Sequence, residues 1–359
     1  MVQSISVLEE NHTHLKREAV HIEVKRGMIL DSLLGFYSEE CIALSRVSVK
    51  MLDENGLDCG GVTADMFTTF WDRAREQFFL GCDAVVPFLP NHRIGEDTTF
   101  RVLGRILSHT VAVMKEIPIP MAKSAFVGMI YNTTDVAEEV VLEDFLLFLD
   151  AHDRRLVTSA ISGYDNLEKS QQEEISTIFE RFEYGAVLKK DNFIYHLKQM
   201  ARHVVLLRPR TLLENMRTGL PAPHLEHFWS RFHLDSLTVL FRALQPTPER
   251  IINRIKTVKS YEDLSIKERR VLRFLWNFIK EISYVELETF LHFITGKKTT
   301  PRSPINIEFT DEKGFKRMPK AHTCSNMMEL PDSYDSYEKF KSEFKHLLAS
   351  PEALTMTME

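Results

Sequence analysis

The stretch Met318-Pro319-Lys320-Ala321-His322-Thr323-Cys324-Ser325-Asn326, followed by Glu329-Leu330-Pro331 and Tyr334, constrains this chain more than any other. Proline fixes φ and removes a backbone donor, so a cysteine between Pro319 and Pro331 rides on a run with stiff flanks. A free cysteine is usually a small buried hydrophobe. His322, Thr323, Ser325 and Asn326 are a poor lining for a buried thiol, so the pattern predicts an ordered surface loop that presents Cys324. The remaining cysteines, Cys41, Cys59 and Cys82, stand beside apolar or glycine-rich segments. No C-x-x-C pair and no zinc-like spacing joins the four, which leaves Cys324 as the single candidate nucleophile and points to a reducing intracellular compartment, cytoplasmic or nuclear.

Several function classes fall away on composition. A net charge of -6 argues against nucleic-acid partners and against an anionic membrane surface. No apolar run approaches the roughly 18 residues that a spanning helix needs. Met1 to Lys25 carries both charge signs and no apolar core of a signal peptide, so the reading gives no secretory signal, and residues 1–20 as frayed. With 359 residues and 44% hydrophobic side chains, the chain can bury one large core or two modest ones.

In chain order, Val20, Ile22 and Val24 alternate, and a helical stripe follows through Ile29, Leu33, Leu34 and Phe36. Val47 to Met51 alternates again and runs into an Asn55-Gly56 turn, a glycine pair at Gly60 and Gly61, and a helix expected near Thr63, its candidate N-cap. A Gly-Gly before a helix can cradle phosphate, but no G-x-x-x-x-G-K-[ST] follows. Phe100 to Met114 reads as a helix in which Gly104 permits close packing, ended by Ile117-Pro-Ile-Pro120 and followed by a second helix, Ala122 to Ile130. Leu142, Phe145, Leu146 and Leu149 form one helical face, and Gln171 to Phe182 a polar helix. A longer helix runs through Leu197, Met200, Val204 and Leu207. The charged stretch Ser260 to Arg270, poor in large apolar residues, is the expected hinge between two lobes. Beyond it come helices around Trp276 and Phe290–Phe293, the latter closed by Gly296, then a strand Ile305 to Thr310 and a closing helix striped by Phe340, Phe344, Leu347 and Leu348.

Ala321-His322-Thr323-Cys324, the nearby Asn326, the Leu330-Pro331 pair and Tyr334 together resemble the active-site loop of HECT ubiquitin ligases. Gly56-x-Asp58-x-Gly60-Gly61-Val62-Thr63, leading into a helix with Phe67, Phe70 and Trp71, is similar to the first strand-to-helix block of that family. The Leu103-Gly104-Arg105 helix, Trp276 and the Phe293-Ile-Thr-Gly296 run match further blocks in the same order. Within the family, the Asp58/Gly60/Gly61 and Asn192/Tyr195 blocks look most like the G2/M-phase-specific ligase group. The resemblance implies an α+β, bilobal fold: a mainly helical N-lobe over 21–262, with 135–185 as a reduced docking subdomain for the conjugating enzyme, and a smaller α+β C-lobe over 263–359.

The resemblance implies that Cys324 accepts ubiquitin from a conjugating enzyme as a thioester and passes it to a lysine of a substrate the sequence does not name. No cofactor and no metal enters that chemistry. An ordinary thiol is only a few per cent ionised at neutral pH yet intrinsically nucleophilic, and thioester exchange is close to balanced. The attack needs donors for a developing oxyanion, which Thr323, Ser325 and Asn326 can supply. His322 either polarises the thiol and bears a proton or shapes the loop by hydrogen bonds. Ala64-Asp65 stands where the family carries Arg-Glu, in a block that is structural there, and three departures count against transfer: Ser325 where the family commonly has Phe, a shortened docking region, and a tail, Pro351 to Glu359, without the usual aromatic. A degenerate HECT module that binds without transferring ubiquitin is therefore a second reading. A cysteine protease is a third, which the proline-flanked loop does not fit.

Overall fold

Alternating Ile22 and Val24, both buried, make β1 (Arg17–Val24), and Val49 and Met51 do the same for β2 (Ser45–Met51), which pairs with it in parallel. The computed structural model describes residues 17–52, 61–90, 98–231, 234–314 and 317–350. The Asn55-Gly56 turn, Asp58, Cys59, Gly60, Phe315 and the tail from Pro351 lie outside the described residues. Strand β1 reaches back to Arg17, into the stretch read as frayed. Between the strands stands α1 (Ile29–Phe36), with Ile29 and Leu33 four residues apart on its buried face.

The chain divides into two compact units, one over 33–44 and 71–241 and one over 17–32, 45–70 and 242–359 among the described residues. In the first unit, the end of α2 (Gly61–Phe78) leads to a short hairpin, β3 (Phe79–Leu80) with β4 (Val86–Pro87). Helices follow: α3 (Thr98–Met114), α4 (Lys123–Tyr131), α5 (Glu138–Phe148), α6 (Ala151–Gly163), α7 (Lys169–Arg181), α8 (Phe193–Arg202), α9 (Arg210–Gly219), α10 (Ala222–His227) and most of α11 (Leu234–Leu244). Trp71, Phe78, Phe100, Phe126, Phe145, Phe179, Phe193 and Trp229 are fully buried in it. The polar atoms these rings carry are matched: Trp71 Nε1 donates to Thr110 Oγ1 at 3.0 Å and Trp229 Nε1 to Ser108 Oγ at 3.0 Å. Helices α3 and α9 touch backbone to backbone. A Cβ built on Gly104 would land on the Met216 carbonyl oxygen, and one on Gly219 would land on that of Arg101.

Three expectations are corrected here. Helix α2 begins at Gly61, so Thr63 lies buried inside its first turn and is not its N-cap. The buried face of α5 is Val141, Asp144, Phe145 and Phe148, with Leu142 and Leu146 half-buried. Asp144 is tolerated there because its Oδ2 accepts from the backbone N–H and hydroxyl of Ser124, each at 2.6 Å. The helix through Leu197 passes at His203–Leu207 into a π turn that leaves Leu207 exposed.

The second unit adds α12 (Pro248–Arg254), β5 (Ile255–Thr257), α13 (Ile266–Glu281), α14 (Tyr284–Thr295), β6 (Ile305–Thr310), β7 (Lys320–His322), β8 (Met327–Pro331) and α15 (Tyr337–Ala349). One four-stranded sheet has the order β5-β6-β8-β7, with the first three parallel and β7 antiparallel to β8. Ile251, Phe278, Phe290, Ile305, Ile307, Met328 and Leu330 share its core with Tyr334, Phe340 and Phe344. Sequence alone sets the lobe boundary near 262. The contacts place 242–262 with the cysteine-bearing unit, since β5 pairs with β6 and Ile251 joins this core. The charges of 260–270 cap α13: Ser265 Oγ accepts from Glu268 N–H while Glu268 Oε2 accepts from Ser265 N–H.

Candidate functional site: a hairpin that presents a cysteine

The stiff-flanked run from Pro319 to Pro331 folds as a β-hairpin. Lys320 pairs with Glu329, Ala321 with Met328 and His322 with Met327, leaving Thr323 to Asn326 as the turn. Met328 and Leu330 point into the core, so their neighbours Met327 and Glu329 take the other face. Sequence reading missed these strands; the alternation of Met328 and Leu330 was the available signal, over only two periods.

Cys324 is exposed at the tip. The Ser325 N–H and hydroxyl both donate to the His322 carbonyl, at 3.1 and 3.2 Å, and Asn326 N–H donates to the Thr323 carbonyl at 3.4 Å. Asn326 has φ +49°, a left-handed conformation that asparagine tolerates better than most residues. Its carbonyl accepts from Asn306 N–H at 2.8 Å, which fastens the tip to the start of β6. His322 is partly exposed, with its Nε2 2.8 Å from Glu329 Oε1. Of the four residues singled out from sequence, Thr323, Cys324 and Asn326 thus lie on one turn, and His322 ends the strand that leads into it. Exposure does not set Cys324 apart, however: Cys41 and Cys82 are exposed as well, against the expectation drawn from their apolar neighbours.

Within the same unit, the tip meets the start of α2. A Cβ on Gly61 would overlap Thr323 Oγ1 and lie 2.9 Å from Cys324 N and 3.0 Å from Cys324 Sγ, so this approach needs glycine. Gly296 caps α14 at φ +69°, and its own Cβ would lie 3.2 Å from the Gly61 carbonyl oxygen. The helices are also tied by charge. Asp65, buried in the first turns of α2, has Oδ2 2.6 Å from Arg26 Nη2 and Oδ1 2.8 Å from His292 Nε2 on α14. Thr68 Oγ1 donates to the Gly296 carbonyl at 2.8 Å. Burial works to raise the Asp65 carboxyl, but His292 and Arg26 outweigh it and hold it below the ordinary carboxylate range. Nothing in the sequence pairs Asp65 with His292, since 227 positions separate them.

Behind the hairpin, Tyr334 is fully buried under the Arg317 guanidinium, whose carbon lies 4.6 Å from the ring centre. Burial pushes its phenol up to about 12, so it stays neutral and acts as a packing anchor. Among the described residues no group of His, Cys, Asp and Glu side chains is placed to hold a metal ion, and no helix is long and apolar enough to cross a membrane.

Compared with known families, the sequence matches the HECT-domain (ubiquitin-transferase) profile over residues 63–354, from the first turn of α2 past the hairpin and α15. The chain belongs to the HECT family. Its α+β architecture is thus that of a HECT domain. Similar proteins include E3 ubiquitin-protein ligase ptr1 of Schizosaccharomyces pombe, 23% identical over 90% of this chain and 11% of that protein. Probable E3 ubiquitin-protein ligase TOM1 of Eremothecium gossypii is 22% identical over 90% of this chain and 11% of its own length. E3 ubiquitin-protein ligase UPL2 of Arabidopsis thaliana is 22% identical over 93% of this chain and 10% of its own. The chain spans about a tenth of the length of these curated relatives.

Proposed function

We propose that this HECT domain is a ubiquitin-protein ligase that takes ubiquitin from a conjugating enzyme as a thioester on Cys324 and transfers it to a substrate lysine, inside the cell. The observation that carries this reading is the placement of Cys324, exposed at the tip of a hairpin braced by β6 and by the buried Met328 and Leu330. The names of the related ligases support it. The Thr323 and Asn326 side chains supply candidate donors for the oxyanion, and His322 the proton carrier. In this reading residues 135–185, built from α5, α6 and α7, are the reduced subdomain that docks the conjugating enzyme, and residues 263–359 are the C-lobe that carries Cys324.

The test is chemical. With ubiquitin, activating enzyme and a panel of conjugating enzymes, the chain should form an adduct that reductant removes. Cys324→Ser should convert it to an oxyester that survives reductant but not strong base, and Cys324→Ala should abolish it. Cys41→Ala, Cys59→Ala and Cys82→Ala should charge normally. An adduct that persists in Cys324→Ala refutes the site, and no adduct with any conjugating enzyme supports the non-transferring module.

A further inference from the structure

We infer that Glu329 is a positioning residue for His322 in the transfer step, an inference that rests on the ligase reading above. The hairpin register sets the pair. With Met328 and Leu330 turned into the core, Glu329 must take the opposite face of β8, the face that His322 shares across β7. A slip of one residue would bury the carboxylate, so the packing behind the hairpin fixes which acid meets the imidazole. Lys320, directly across from Glu329, has its ammonium 3.7 Å from Glu312, while Glu329 Oε1 lies 2.8 Å from His322 Nε2. An exposed pair of this kind contributes little to stability, with side chains 45% and 28% accessible. Its value lies in what it does to the ring.

An ionised carboxylate can only accept, so Nε2 carries the proton and Nδ1 keeps the lone pair. The ring is then held in one tautomer, two residues from the thioester sulfur. In the transfer step the substrate ammonium gives one proton to His322 Nδ1, and the free amine attacks the thioester carbonyl. The N–C bond forms, the C–S bond breaks, and Cys324 leaves as a thiolate. The nitrogen sheds its second proton to that thiolate or to water, leaving an amide. Glu329 acts through the ring: it fixes the base and balances the charge that the imidazole acquires.

The experiment separates loading from discharge. Wild type, Glu329→Gln, Glu329→Asp, His322→Gln and the Glu329→Gln/His322→Gln double variant are charged with ubiquitin, the conjugating enzyme is quenched, and discharge is followed against free lysine concentration. Glu329→Gln should melt with wild type and charge at its rate, yet discharge roughly tenfold more slowly at saturating lysine with the half-saturating concentration unchanged. Glu329→Asp, which keeps the carboxylate, should recover part of that loss. The double variant should be no slower than His322→Gln alone, since removing the ring removes what Glu329 acts on. Discharge of Glu329→Gln at the wild-type rate, or fully multiplying losses in the double variant, would overturn the role. A loss confined to charging, or a lowered melting temperature that accounts for the slower discharge, would make the pair structural and overturn it too. Wild type that forms no thioester overturns the ligase reading and this role with it.

Discussion

The two units solve the problem of close approach with different materials. In the first, α3 and α9 meet backbone on backbone at Gly104 and Gly219, inside a packing of buried aromatic rings. In the second, the glycine at the start of α2 meets the tip of a turn, and the helices around it are held by a buried carboxylate shared between an arginine and a histidine. Backbone has no rotamer with which to retreat, whereas a turn tip can shift by a few tenths of an ångström. The first unit therefore spends its glycines on stability, and the second spends Gly61 on the surroundings of a thiol.

The largest test of that contrast is Gly104→Ala or Gly219→Ala. Each sets a methyl group on a carbonyl oxygen that cannot move without its helix, and we expect a loss of about 4 kcal/mol or failure to fold, read by chemical denaturation and soluble yield. Asp65→Ala should come next, at roughly 3 kcal/mol, because it removes the acceptor that the buried His292 imidazole shares with the partly exposed Arg26 guanidinium. A loss below about 1 kcal/mol would mean that the cluster is better solvated than its burial implies. Gly61→Ala should be the mildest in stability, within about 1 kcal/mol, since the tip can give way. Its effect should appear on Cys324 instead. In a Cys41→Ser/Cys59→Ser/Cys82→Ser background, alkylation of Cys324 should quicken by about two- to threefold as the tip moves off the helix; an unchanged rate would show that the contact does not shield the sulfur.

Acid separates the units further. The Asp65 carboxyl is depressed in the folded chain, so its contribution is fully present above the ordinary carboxylate range and is lost as pH falls through the lower, folded value. Glu286 acts in the same direction: Lys345 and the Ser283 backbone at the start of α14 hold it at about 2. Thermal melts between neutral pH and about pH 3 should show the second unit weakening first, and Asp65→Asn should flatten that dependence. Equal acid sensitivity in Asp65→Asn and wild type would place the effect elsewhere.

Legibility followed the range of the interaction. The strand Ile305–Thr310, the Gly296 cap, the close packing at Gly104 and the stripe of α15 all showed in the sequence, because each is declared by residues a few positions apart. The hairpin did not, since two prolines and four polar residues outweighed the short alternation of Met328 and Leu330. In the charged stretch before α13 the capping box of Ser265 and Glu268 did not show, because a capping box and a solvated linker use the same residues. His322 and the three turn residues Thr323, Cys324 and Asn326 could be named from their neighbours alone. Glu329 could not, because its role depends on cross-strand register, and Asp65 could not, because its partner lies in another third of the chain.

That last separation has a consequence for how the protein is made. Asp65 leaves the ribosome 227 residues ahead of His292. At elongation rates of about 5–20 residues per second, roughly 10–45 seconds pass in which the early segments of the second unit wait for their partners while residues 71–241 of the first unit emerge. During that interval the start of α2 lacks His292, Gly296 and the hairpin tip that it meets in the folded chain, which makes the nascent chain, rather than the finished one, the stage at which chaperone binding to the early segments of the second unit should be sought.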